Sequence, residues 1–122
     1  KMKSKSIKIE KSKVLIMGLT FKENCPDLRN SGVSSVIKNL KKKNCILDFY
    51  DPLVSSKYIQ KIYGKKSIKK LINYKYDGII IAVAHDEFKK MGIRRIIRLG
   101  KKNQVIFDLK SIFDKKYTNL TL

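Results

Sequence analysis

The sequence predicts one α/β domain in which helices cover both faces of a doubly wound parallel sheet, in three α/β/α layers. Three observations carry that expectation. Short apolar runs alternate along the chain with segments of helical periodicity. Those runs are apolar at successive positions rather than at alternate ones, as in strands buried on both faces. Their ends are marked by Gly, by Asp-Pro or by charged residues, which suit the close of a strand. With 122 residues, 43% of them hydrophobic, the chain has the size and composition of a single domain with a true core.

Each element can be justified in order. Residues 1–12 are a basic, polar lead-in, and residues 13–122 form the domain. Val14-Leu15-Ile16-Met17 is the first strand, closed by Gly18 and followed by a polar loop with Pro26. Asn30-Ser31 offers caps for a helix whose Val33, Val36, Ile37 and Leu40 share one face, with Lys41 to Lys43 complementing its dipole. Cys45 to Tyr50 is the second strand, stopped by Asp51-Pro52. Tyr58, Ile59, Ile62 and Tyr63 predict a short helix closed by Gly64. Ser67 caps a further one bearing Ile68, Leu71 and Ile72. Gly78 to Ala84 is the most strand-like run of all. Asp86 then caps a helix carrying Phe88, Met91, Ile93, Ile96, Ile97 and Leu99, weak in the middle at Gly92 and ended by Gly100. Gln104 to Phe107 is the fourth strand, opening into Asp108-Leu109-Lys110. The alternation is Rossmann-like, and ligands of such sheets sit at the carboxyl ends of the strands. A site is therefore expected in the segments that follow Gly18, Tyr50, Ala84 and Phe107.

Charge and composition narrow the function classes. The net charge of +19 invites a nucleic-acid reading, since a basic surface attracts phosphate backbones. Yet only Arg29, Arg94, Arg95 and Arg98 are arginines among 29 basic residues, and base readout leans on arginine's bidentate fork. A lysine-rich nucleic-acid-binding domain is thus the alternative reading, and no sequence-specific nucleic-acid partner is expected. No run of about 18 apolar residues exists to span a membrane, and no signal peptide is evident. Cys25 and Cys45 are too few and unpatterned for a disulfide framework or a metal site, so reduced thiols in the cytoplasm are expected.

The loop after the first strand runs Gly18-Leu19-Thr20-Phe21-Lys22-Glu23-Asn24-Cys25-Pro26-Asp27-Leu28-Arg29-Asn30-Ser31. It has one glycine, where a dinucleotide fingerprint needs G-x-G-x-x-G. In place of that cradle stand Phe21 beside Lys22, with Arg29 seven residues on. An aromatic ring next to an ammonium group suits a base or ribose held near a phosphate. An anion or nucleotide site is one reading, and a surface loop with a packed Phe is the other.

The same run resembles the F-K-x4-D-x-R-x-S signature that opens the UDP-binding domain of the UDP-glucose/GDP-mannose dehydrogenase family. Tyr50-Asp51-Pro52, Val83-Ala84-His85-Asp86-Glu87-Phe88 and Phe107-Asp108-Leu109-Lys110 agree in order and spacing. The resemblance implies that Phe21 and Lys22 contact a UDP-sugar, and that Lys110 does so where relatives carry the Arg of D-G-R. It implies that Arg29 reaches NAD held by an amino-terminal domain, so that this domain alone holds no cofactor and no metal. Asp27 is expected to brace the loop. The Asp108-Leu109-Lys110 wording and Asn24-Cys25-Pro26 resemble the branch acting on UDP-N-acetylhexosamines for capsule, O-antigen and Vi-type polysaccharides in bacteria. The whole enzyme would oxidise the sugar's C6 hydroxyl to a uronate, as a homodimer or higher oligomer with amino-terminal and central domains. This segment alone would be inactive, with no catalytic residue. A free-standing UDP sensor is a further alternative, although a chain opening on Lys1 is expected to be a piece of a longer one.

Several residues tempt and are read more plainly. Cys25 lies in the UDP loop, away from the motif that carries the family's nucleophile. Cys45 is a small core residue. His85, at a strand end, could approach the nucleotide, but a structural role is the simpler expectation. Asp51 is read as a turn residue before Pro52, and Tyr58, Tyr63, Tyr74 and Tyr76 as packing on helices.

Overall fold

A computed structural model describes residues 10–20, 33–110, 112–113 and 120–121. The strands are β1 (Lys13–Met17), β2 (Ile46–Tyr50), β3 (Tyr76–Ile81), β4 (Gly100–Asp108) and β5 (Leu120–Thr121). The helices are α1 (Val33–Lys42), α2 (Ser56–Tyr63), α3 (Asp86–Met91) and α4 (Ile93–Leu99). The strands form one sheet in the order β2-β1-β3-β4-β5, every neighbouring pair parallel. The doubly wound α/β architecture expected from the sequence is present.

The pleat of β1 divides the core. Val14 and Ile16 face one side, where they join Phe49 of β2, Ile37 of α1 and Ile59 and Tyr63 of α2. Leu15 and Met17 face the other, with Ile79 and Ile81 of β3, Phe88 of α3, and Ile96 and Leu99 of α4. Successive side chains of a strand point to opposite faces, so a run apolar at every position serves two cores at once. α2 is capped at both ends. The Ser55 hydroxyl accepts from Tyr58 N at 3.2 Å, and Gly64 takes the left-handed conformation at φ 82°. Lys41 Nζ donates to Tyr63 O at 2.8 Å, tying the end of α1 to the end of α2.

The structure departs from the sequence reading in five respects. No helix forms after Ser67. Instead Ile68 N donates to Phe49 O at 2.8 Å and Lys65 Nζ to Leu47 O at 2.6 Å, so residues 65–68 follow the outer edge of β2. An amide engaged with a strand cannot also close a helical turn, and Ile68 and Leu71 pack on the second core from an irregular segment. The helix expected from Asp86 to Leu99 is two, broken where Gly92 adopts φ 85°, ψ 153°, which no helix contains. His85, not Asp86, is the N-cap residue of α3. β4 begins at Gly100, with a register jump in which Tyr76 faces Gly100 and Gly78 faces Val105, and β5 adds a fifth strand. The proposed caps Asn30 and Ser31 lie outside the described residues.

Candidate functional site at the carboxyl edge of the sheet

The carboxyl ends of β2, β1, β3 and β4 are laced together by backbone hydrogen bonds. Gly18 N donates to Tyr50 O at 3.0 Å, Ala82 N to Met17 O at 2.9 Å, and Leu109 N to Ile81 O at 3.0 Å. Gly18 has φ 93°, and a Cβ there would lie 2.8 Å from Cβ of Val83. Only glycine allows both the positive φ and that approach, so β1 turns out of the sheet hard against the end of β3.

Asp51, at the end of β2, turns inward and is buried. Its Oδ2 accepts from Leu19 N at 2.8 Å and from His85 Nε2 at 3.1 Å, and its Oδ1 accepts from Leu53 N at 3.0 Å. A carboxylate only accepts, so Nε2 is the protonated nitrogen of this contact. The same nitrogen lies 3.4 Å from Thr20 Oγ1. His85 is 1% exposed and its ring lies 5.3 Å from that of Phe88. This knot joins the segments leaving β1, β2 and β3. It leaves His85 buried among protein partners, and it gives Asp51 contacts beyond those of a turn residue.

Beside it, a cleft of about 250 Å³ is lined by Tyr50, Asp51, Val54, Ser56, Ile68 and Lys69, among others. Burial pushes the Tyr50 hydroxyl's pKa up, and the charges of Glu87 and Asp51 add to this against the opposing Arg95. The phenol therefore stays a hydrogen-bond donor. At the end of β4, Asp108 is fully buried. Its Oδ2 accepts from Phe113 N at 2.9 Å, while Oδ1 has no hydrogen-bond partner among the described residues. Lys110 is exposed in the turn that follows.

A second polar cluster lies off this edge. Asp48, midway along β2, accepts from the Tyr76 hydroxyl at 2.6 Å and pairs with Lys75 at 3.1 Å and Lys65 at 3.3 Å. Burial alone would push the Asp48 carboxyl up, but these hydrogen bonds and the charge of Lys75 outweigh it and hold it below the usual carboxylate range. Burial, with the bond to Asp48, drives the Tyr76 hydroxyl far up. Tyr76 is thus a buried partner of a charge that also sits in the core with Ile96 and Leu99 of α4, as expected, whereas Tyr74 is 70% exposed and departs from that expectation. Tyr63 does pack, 5.6 Å from Phe49, and Tyr58 lies against the same core. Cys45 is half-buried against that core too.

Of the residues singled out for binding, Phe21, Lys22 and Arg29 lie outside the described residues, as do Asp27 and Cys25. The structure brings Thr20, which precedes them, to the edge from which Lys110 emerges. The sequence reading missed the contact of Asp51 with His85. Its only signal was that both residues follow strand runs. Among the described residues, the start of the turn after β1 does not offer a dinucleotide its usual site. The glycine cradle is lacking, Val83 fills the space at Gly18, and the acid ending β2 is bonded inward rather than offered to a ribose. Among the described residues no group of three or more His, Cys, Asp or Glu gathers to hold a metal, and no helix is long and apolar enough to cross a membrane.

Comparison with known proteins gives the edge its context. Residues 15–115 match the model of the UDP-glucose/GDP-mannose dehydrogenase family, UDP binding domain. A UDP-N-acetyl-D-glucosamine 6-dehydrogenase of Pseudomonas aeruginosa is 44% identical over 99% of this chain, and one of Salmonella typhi is 40% identical over 99%. The chain spans only 29% and 28% of those two relatives. A solved UDP-D-ManNAc dehydrogenase from Pyrococcus horikoshii shares the fold, with a TM-score of 0.73 over 93% of this chain and 25% of that one, at 22% identity. Fold, matched span and relatives agree, and the chain belongs to the UDP-glucose/GDP-mannose dehydrogenase family as a UDP-binding domain.

Proposed function

We propose that residues 13–122, behind a basic lead-in of residues 1–12, are the carboxyl-terminal domain of an NAD-dependent 6-dehydrogenase. Its substrate would be a UDP-N-acetylhexosamine, oxidised at the C6 hydroxyl to the uronate in the cytoplasm. The printed activities of the two relatives above support that branch. The observation that carries the reading is the shared edge. The loop holding Phe21 and Lys22 leaves β1 at the carboxyl side of the sheet, where Lys110 leaves β4. Phe21 offers a ring for the uridine, and Lys22 and Lys110 offer ammonium groups for the pyrophosphate. Arg29 would point to NAD held by a neighbouring domain of the same enzyme, within a homodimer or larger assembly. Four electrons leave the substrate when CH2OH becomes a carboxylate, so two NAD are reduced per turnover and one water is consumed. NAD, bound elsewhere, supplies the hydride acceptor; this domain grips UDP and closes one wall of the cleft.

Calorimetry of UDP against the chain tests this. One saturable site is expected. Lys22→Ala should weaken it about ten- to a hundredfold, the worth of one charge-assisted hydrogen bond of roughly 1.5–3 kcal/mol. Binding that Lys22→Ala leaves untouched, or no saturable binding, would remove the reading.

A further inference from the structure

We infer that Asp51 and His85 are positioning residues for the nucleotide loop, setting the backbone of Leu19 and Thr20 from which Phe21 and Lys22 depart. This rests on the proposed role of those two residues. The Leu19 side chain is fully buried in the first core, and its backbone N–H is held by Asp51 Oδ2 at 2.8 Å. Thr20 is buried as well, with its hydroxyl 3.4 Å from the imidazole nitrogen that also meets Asp51. Phe88 of α3 and the carboxylate fix the ring from two directions. The last two residues before the loop are thus held through backbone and side chain by groups from β2 and from the segment after β3.

Simple stabilisation does not account for such a knot. A buried carboxylate–imidazole pair must overcome a desolvation penalty, and apolar pairs of similar volume commonly do as well or better. What an apolar pair cannot supply is a directed acceptor for one chosen amide. Nor is the knot free to act on substrate, since both side chains are 1% exposed or less. Its effect must pass through the loop it holds.

The test uses the 122-residue chain with Asp51→Asn, His85→Ala, His85→Gln and, as a control, Tyr76→Phe. The control disturbs another buried polar pair, away from the carboxyl ends of the strands. UDP affinity is measured by calorimetry. Amide exchange at residues 19–22 is measured relative to the amides of β3. Asp51→Asn and His85→Ala should each weaken UDP by about tenfold, the equivalent of one lost hydrogen bond to a charged group. Exchange at residues 19–22 should quicken selectively. His85→Gln, whose amide can still donate to Asp51, should recover most of the affinity, and Tyr76→Phe should lower stability without moving either readout. Should Asp51→Asn fail to fold, the two His85 variants decide. Folded variants that bind UDP like wild type, with unchanged exchange, would overturn the inference. If wild type itself binds no UDP, the proposed function falls. Selective exchange at residues 19–22 then decides alone: quickened it upholds the positioning role, unchanged it refutes it.

Discussion

Asp48 shows what a single residue's surroundings determine. It sits in a strand that is otherwise apolar, and it is tolerated there because Tyr76, Lys75 and Lys65 converge on it. Tyr76→Phe removes one donor to a buried charge, and we expect a loss of about 1–3 kcal/mol in chemical unfolding. The pH dependence follows from the shifts. Asp48 is depressed in the folded state, so its contribution is complete above the unfolded value of about 3.9 and is lost as pH falls through the lower folded one. Tyr76 is raised, so its contribution is complete below about 10 and is lost as pH rises beyond that. Unfolding midpoints should therefore be level between these limits and fall outside them, with the alkaline fall shallower in Tyr76→Phe. None of this was legible in the sequence. Asp48 and Tyr76 are 28 residues apart and Asp51 and His85 34, and spacing says nothing about partners that only the sheet brings together. The loop motif was legible because its residues are contiguous.

Elements were read well where one local cause sufficed. The runs at Val14 to Met17 and at Ile79 to Ile81 are strands because every position is apolar and two cores need them. Gly64 ends α2 and Gly92 divides α3 from α4, both by positive φ. The reading failed where long-range bonding overrode a local pattern. Ile68, Leu71 and Ile72 satisfy a helical period, yet the edge of β2 takes the Ile68 amide first. β5, two residues long, leaves no periodic trace. Glycine substitutions separate two kinds of constraint. Gly92→Ala meets nothing within 4 Å and should cost only the backbone strain of a positive φ with extended ψ, about 1–3 kcal/mol. Gly18→Ala adds a clash with Val83 to that penalty, so it should be the more destabilising in thermal unfolding and should weaken UDP as well.

For the molecule as a whole, the net charge of +19 predicts binding to DNA or RNA that is blind to sequence and fades as salt rises. Filter binding or anisotropy across a salt series would show it; a sequence preference that survives physiological salt would speak for a nucleic-acid function instead. The chain alone, given UDP-sugar and NAD, should produce no reduced nicotinamide. The path of residues 65–68 along β2 has its own consequence. A bare sheet edge is a template onto which another extended chain can add. Here the outward carbonyls of Leu47 and Phe49 are already occupied, one of them by an ammonium group, and Lys66, Lys69 and Lys70 stand exposed in the same stretch. A second copy approaching this side meets filled acceptors and like charge, so the β2 edge is closed to runaway strand-by-strand polymerisation.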